Sequence, residues 1–395
     1  VTAAAFAVAL ALLLLAARIA LARTRAPRLP AAEGEPPRVA VLLPVRDEEE
    51  NIEACLSALL AQTAPVEVLV LDDGSHDRTR ELASRIAAAD SRVRVLAVPA
   101  PPPGASGKVN ALAFGLAELQ ETERLSVHWV LSIDADARPG REAIARALAA
   151  AEQNGLAAIS LAARQRVASL GESLLTPLVF ALLDLLLGDW RAAAAGAGTA
   201  VANGQFFLFN RTSLLLAGGF AAIAGAPLDD VAMARLLAAR GLRVGFWRAR
   251  EVLEVRMYAG FAASLSGWRR NLALILGNRR ALVAAVSALA LAPAGAAATA
   301  LLVGAPGAAC IAWAGGAAAS ALARAGTGSS PLFGLLYPLD ALALTRCLAA
   351  AARDRARGRL APWRGRALAP GDEGTVRVSA AAGAPSSDST GRPPR

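Results

Sequence analysis

The 395-residue chain is 55% hydrophobic and 18% charged, with a formal net charge of +9 and three cysteines. So apolar a chain must bury its surface or enter lipid, which excludes wholesale disorder, and three cysteines at this length exclude a disulfide scaffold. Residues 1–22 carry no charged side chain before Arg18, and about 20 apolar residues suffice for one membrane span. The basic residues follow this run instead of preceding it, so it reads as a transmembrane anchor and not as a cleaved leader. Residues 23–37 are a Pro-rich linker.

At residue 38 the texture changes. RVAVLLPV reads as a buried strand, NIEACLSALLAQ as a helix, and VEVLVLDDGS as a second buried strand ending in acids. DRTRELASRIAAAD, RVRVLAVP, VNALAFGLAELQ and VHWVLSIDADA continue as helix, strand, helix and strand. Alternating strands and helices, with several strands continuously apolar, predict a mostly parallel α/β sheet covered on both faces. Ligands of such sheets bind beyond the carboxyl ends of the strands, where the acids at 72, 73, 134 and 136 fall. This domain is assigned to residues 38–255, and LLTPLVFALLDLLL (174–187) within it reads as a buried or interfacial helix. Residues 256–280 read as an interfacial amphipathic segment. Residues 281–352 read as transmembrane or re-entrant helices: 281–323 hold no charged residue, enough for two spans with a turn near 304–306, and 331–352 are interrupted by Pro338 and Asp340. Residues 353–395 form a basic, partly disordered tail.

The charge has a pattern. Of 41 basic residues one is a lysine, Lys108. Arginines crowd beside apolar runs: Arg18, Arg23, Arg25 and Arg28 after the first, Arg269, Arg270, Arg279 and Arg280 before the second, and Arg353, Arg355, Arg357 and Arg359 after the last. That is juxtamembrane charge on the cytoplasmic side. Nucleic acid is not an expected partner, because aromatics are 5% of the chain and no basic stripe is interleaved with them.

Four groups carry chemistry. Asp72-Asp73-Gly74-Ser75 closes a strand with two carboxylates and a sharp turn, which suits ribose or base hydrogens and equally suits an N-cap. Asp134-Ala135-Asp136 closes another strand; two hard oxygens suit Mg²⁺ or Mn²⁺ beside a diphosphate, provided a turn begins there to bring both acids to one ligand. Gly107-Lys108 opens a helix, and a helix N-terminus with a cation suits phosphate, although the residues at 102 and 109 exclude a Walker loop. Asp229-Asp230 opens the helix VAMARLLAARG, as a cap at the positive end of the dipole or as a catalytic carboxylate.

In this order the groups resemble family 2 glycosyltransferases of the GT-A (Rossmann-like) fold over roughly residues 38–280. LLPVRDEEE looks like the family's P-x-R-N-E entry, with Asp47 where Asn is usual. LDDGSHDRT matches its nucleotide-binding turn, GKVNAL its Gly-Lys-Asn-Ala-Leu element, and SIDADARP its D-x-D. ANGQFFLFNRTSLLLAGGF looks like its acceptor-side segment, with Phe220 where many relatives have His, and LDDVAMARLLAARGLRV fills the place of its Glu-Asp-x-x-(L/M) motif. WRGR at 363–366 resembles a tail element of lipid- and carotenoid-glycosylating members.

The Gln-x-x-Arg-Trp of processive synthases is missing. Gly267-Trp268 with Asn271 looks like the Gly-Trp-x-x-Asn of non-processive relatives instead.

The resemblance implies inverting, non-processive transfer of one sugar from a nucleotide sugar, UDP-linked, to a lipid-like acceptor at the cytoplasmic face of the cell membrane. It implies Glu48, Asp73, Lys108 and Asp134 at the nucleotide, Asp136 on the metal, Asp230 as general base, and Gln205, Asp229 and Trp268 around sugar and acceptor. Competing readings are a processive synthase, a GT-A-like nucleotidyltransferase, which calls for a Gly-rich basic N-terminal signature not found at 38–50, and an inactive membrane scaffold, against which the acids at 73, 134, 136 and 230 argue.

Overall fold

The computed structural model describes residues 1–24, 27–103, 105–121, 127–186, 200–226, 228–325 and 327–358; the WRGR string lies outside them. The expected α/β sheet is present. Seven strands run in the order β3-β2-β1-β4-β8-β6-β9: β1 Val39–Val45, β2 Val66–Asp72, β3 Val93–Ala97, β4 Trp129–Ile133, β6 Ala158–Ala162, β8 Phe206–Asn210 and β9 Val244–Arg248. β1 pairs in parallel with β2 and β4, and only β8 runs antiparallel to its neighbours. A small second sheet joins β5 (Ala137–Pro139), β10 (Leu253–Val255) and β7 (Arg164–Gln165).

The apolar strands are explained by two cores. Val39, Val41 and Leu43 of β1 pack into one cluster with Val66, Val68 and Val70 of β2. The alternate residues Ala40, Leu42, Leu69 and Leu71 pack into a second cluster on the other face. Side chains of a strand alternate between faces, so a strand buried on both must be apolar throughout. The carboxyl ends of β1, β2 and β4 share one edge. β8 runs the other way, with Ile133 opposite Phe206, so the residues that precede β8 arrive at that same edge.

Among the described residues, four segments are long and apolar enough to cross a membrane: Thr2–Leu21, Arg280–Leu302, Pro306–Arg324 and Pro331–Ala356. The first three pack lengthwise. Ala5 meets Ala297, Ala300, Ala308, Ala309 and Ala312 at the end far from the sheet, while Ile19 and Ala323 meet Ala181 near it. The fourth behaves differently. Before it, Gly328 N–H donates to Gln165 O of β7 at 2.9 Å, the Ser329 and Ser173 hydroxyls are in contact, and Arg250 donates to Ala325 O at 3.1 Å. The segment then descends beside helix Pro306–Arg324, where Tyr337 stacks edge-on against Trp313 at 5.2 Å. It returns as helix Tyr337–Ala356, whose Asp354 pairs with Arg269 of helix Gly260–Leu276. Both ends therefore contact the side of the chain that carries the sheets.

Where this hairpin passes helix Pro306–Arg324, three polar side chains close a triangle. Arg324 donates to Asp340 at 2.8 Å and to Ser320 at 2.9 Å, and Ser320 donates to Asp340 at 2.7 Å. Arg324 and Asp340 are fully buried. Removing one partner strands a buried charge, whereas replacing both removes the desolvation cost as well. Asp340→Ala is expected to destabilise the protein by about 3–5 kcal/mol. The pair Arg324→Met, Asp340→Leu should cost far less, as thermal unfolding in detergent will show.

Candidate active site

The loops after β1, β2 and β4, the segment before β8 and the start of helix Asp229–Ala239 meet at the carboxyl edge of the sheet. The β1 and β2 loops are tied to one another. Arg46 donates to Asp73 O at 2.7 Å, His76 N–H donates to Asp47 at 2.7 Å, and Ser75 N–H donates to Asp72 Oδ1 at 3.0 Å. Asp73 is buried in this turn. Glu48 N–H donates to Thr79 Oγ1 at 2.7 Å, and Glu48 Oε2 accepts from Asn51 at 2.8 Å.

Lys108 stands at the centre. Its Nζ lies 2.6 Å from Asp134 Oδ1 and 3.5 Å from Asp229 Oδ2. Burial opposes the ammonium charge, but Asp134, Asp229 and Asp230 together hold its pKa above the usual lysine value. The lysine is thus engaged by carboxylates. Asp230 is fixed by two backbone N–H groups: Gly204 donates to Oδ2 at 2.9 Å and Val231 to Oδ1 at 2.7 Å. Burial and the neighbouring Asp229 push the Asp230 carboxyl up to about 6, against the opposing pull of Lys108 and these two donors.

A turn does follow β4. Asp134 pairs with Lys108, while Asp136 makes no such ion pair and lies in the field of Asp134, Glu48, Lys108 and Arg138. Burial, with the charges of Asp134 and Glu48, pushes the Asp136 carboxyl up to about 8. Its Oδ1 is buried with no hydrogen-bond partner among the described residues. A buried, orphaned carboxylate oxygen beside further acids fits a hard divalent cation. Among the described residues no three Asp, Glu, His or Cys side chains gather to hold a metal by themselves, so any such ion needs oxygens from its ligand too.

The remaining candidates are structural neighbours of this edge. Gln205 is buried; its Oε1 accepts from Asn203 at 3.0 Å and its backbone O from Asp134 N–H at 3.3 Å. Trp268 is not brought to the carboxylates. It lies in an apolar cluster with Leu175, Val179 and Leu348, edge-on to Phe180 at 5.3 Å and to Tyr258 at 5.7 Å. Tyr258 follows two residues after Arg256, whose N–H approaches Asp136 O at 3.5 Å, and burial pushes its phenol up to about 12.

Three residues not singled out from sequence belong here: Tyr258, Gly204 and Arg138. Arg138 donates to Asn51 at 3.1 Å and to Ala135 O at 2.8 Å, bracing the turn under Asp136. Gly204 was legible only as part of a longer string. A Cβ there would lie 2.9 Å from Lys108 Nζ.

Residues 40–210 match the family model Glycosyl transferase family 2. This chain carries a family 2 glycosyltransferase domain. The chain is 24% identical over 245 residues to the 4,4'-diaponeurosporenoate glycosyltransferase of Staphylococcus haemolyticus, covering 61% of this chain and 63% of that one. It is 44% identical over 63 residues to Glycosyltransferase AglE of Haloferax volcanii, covering 15% of this chain and 21% of that one. It thus spans less than two thirds of either relative. A solved mannosyltransferase from Pyrobaculum calidifontis, in complex with GDP-Man and Mn2+, shares the fold with a TM-score of 0.52 and 22% identity, over 89% of this chain and 99% of that one.

The lysine's surroundings in this family 2 domain favour a compact ammonium over a planar guanidinium. Lys108→Arg is expected to lower turnover at least about tenfold, because the larger group must displace the backbone at Gly204 or lose a carboxylate; steady-state kinetics of the purified variant checks this.

Proposed function

We propose that the chain is an inverting, non-processive glycosyltransferase that moves one sugar from a nucleotide sugar, UDP-linked, to a hydroxyl or carboxyl of a lipid-like acceptor at the cytoplasmic face of a membrane. One observation carries the reading: five carboxylates and one ammonium converge at the carboxyl edge of the sheet, in a chain that also carries helices apolar enough to cross a membrane. The mannosyltransferase bound to GDP-Man and Mn2+ supports a nucleotide-sugar donor and a divalent cation. The diaponeurosporenoate-directed relative supports an apolar acceptor.

In this reading Asp73 hydrogen-bonds the base, with Glu48 bracing the nucleotide side. Asp136, with its unpaired buried oxygen, takes the Mg²⁺ or Mn²⁺. When bound, the cation neutralises charge on the departing diphosphate. Lys108 gathers Asp134, Asp229 and Asp230 into one unit, keeping Asp134 beside the ribose and Asp229 beside the sugar. Asp230, locked by two N–H groups, accepts the acceptor proton as the oxygen attacks the anomeric carbon opposite the leaving group. Gln205 holds the loop that carries Gly204, and Trp268, packed with Phe180, Leu175 and Leu348, backs the acceptor side.

A base of this kind works only when ionised. With its pKa near 6, the rate is expected to fall about tenfold per unit as pH drops below about 6, and to be flat above. Asp229→Asn removes one cause of the raised pKa, so the acid limb should move to lower pH. Asp230→Asn should cost at least about 100-fold. Metal-dependent release of UDP by protein in detergent, with a lipid extract as acceptor, measures all three; near-normal turnover by Asp230→Asn or Asp136→Ala overturns the assignment.

The topology follows from the arginines. Arg18, Arg279, Arg280, Arg353 and Arg357 are exposed at the ends of the apolar helices nearest the sheet, as expected for the cytoplasmic side. Both ends of the 331–356 segment lie on that side, so we assign three spans and one re-entrant hairpin. A reporter active only after export, fused behind Gly358, should be silent; activity outside the cell sinks this topology.

A further inference from the structure

Helix Gly260–Leu276 presents three residues to one ring. Gly267 leaves the space: a Cβ there would overlap the Tyr258 ring. Trp268, the next residue, meets that ring edge-on at 5.7 Å. Asn271, one turn further on, donates from Nδ2 to the Tyr258 hydroxyl at 3.1 Å. The Gly-Trp-x-x-Asn string thus has a single physical object, the phenol side chain thirteen residues before Asn271.

The backbone that carries the phenol is clamped separately. Glu172 is 2% exposed and gathers four donors. Its Oε1 accepts from Arg256 at 2.9 Å, Gly260 N–H at 2.9 Å and Ser169 at 3.0 Å, and its Oε2 accepts from Ala168 N–H at 2.8 Å. These donors hold the carboxyl down at about 2 against burial. Arg256 and Gly260 flank Tyr258 by two residues on each side. Arg256 N–H also approaches Asp136 O, at 3.5 Å. The segment is therefore pinned at both ends with its ring in a fitted seat.

A phenol that accepts a hydrogen bond from an amide keeps its own proton to donate. With its pKa pushed up to about 12, that proton stays on at neutral pH. The approach of Arg256 N–H to Asp136 O sets its segment beside the acid edge, where a bound anion's oxygens would be the acceptors.

We propose that Tyr258 is a donor-contact residue, whose hydroxyl, seated by Gly267, Trp268 and Asn271 and held in place by Glu172, hydrogen-bonds a phosphate oxygen of a nucleoside diphosphate bound beside Asp136. Glu172 is a positioning residue in the same unit. The inference rests on the nucleotide-sugar reading above.

Calorimetric titration of the full-length protein in detergent, with UDP or GDP in the presence of Mn²⁺, tests it. Tyr258→Phe keeps the ring and its packing, so the melting temperature should hold while binding weakens about tenfold, the loss of one hydrogen bond to a charged group. Gly267→Ala moves the ring without altering the hydroxyl and should weaken binding similarly. The double variant should be no weaker than the worse single one, because both act through one contact. Glu172→Gln should likewise add nothing in a Tyr258→Phe background. If Tyr258→Phe binds either diphosphate as the unaltered protein does, or if its effect simply adds to that of Gly267→Ala, the proposal fails while the nucleotide-sugar reading survives. If the unaltered protein binds neither diphosphate, both fall.

Discussion

The arrangement at the sheet edge depends on one buried ammonium. Asp134 follows β4, Asp229 and Asp230 open a helix nearly a hundred residues later, and nothing covalent relates them. Lys108 lies within 2.6 Å of the first and 3.5 Å of the second, and its charge also acts on the third. Three carboxylates this close repel one another, and burial raises the cost of each. A single positive charge among them offsets both effects. It sits at the start of helix Gly107–Glu121, a rigid support whose side chains pack against the sheet. The lysine therefore acts first as the counter-charge that lets the acids share one edge.

The same reasoning separates the two halves of the D-x-D. Asp134 is satisfied within the protein and Asp136 is not. The second carboxylate lies in the field of Asp134 and Glu48, where burial and like charge favour protonation unless a cation arrives. Two acids of one short motif thus stand in different electrostatic states, one paired with an ammonium and one with an orphaned buried oxygen.

Much of the fold was legible because its signals are local. Continuously apolar strands, their acid-terminated ends and the uncharged 281–323 stretch each announce themselves within ten to forty residues, and the turn expected near 304–306 lies between helices Arg280–Leu302 and Pro306–Arg324. The candidate acids were legible because strand ends are where such sheets bind ligands. What was not legible depends on distant pairing. The packing of Trp268 against Phe180, Leu175 and Leu348 is one such pairing. Nothing local tells which face of an amphipathic helix meets the site. Tyr258 and Glu172 are 86 residues apart and meet only through the small sheet and the start of the interfacial helix. A glycine inside that helix, at 267, was the one available clue, since a helical glycine marks a close approach.

Helix Gly260–Leu276 then joins the acid edge to the apolar helices. On one side it seats Tyr258 near Asp136; on the other its Leu272, Ala273 and Leu276 pack with Leu344, Cys347 and Leu348 of the returning hairpin. Arg269 ties its exposed face to Asp354. A helix held by apolar packing below and by Glu172 at its first residue has little freedom to shift alone. Its depth relative to the apolar helices and its distance from the acid edge are consequently one variable. On the proposed reading, a lipid-like acceptor would therefore meet a helix that is also tied to the acid edge.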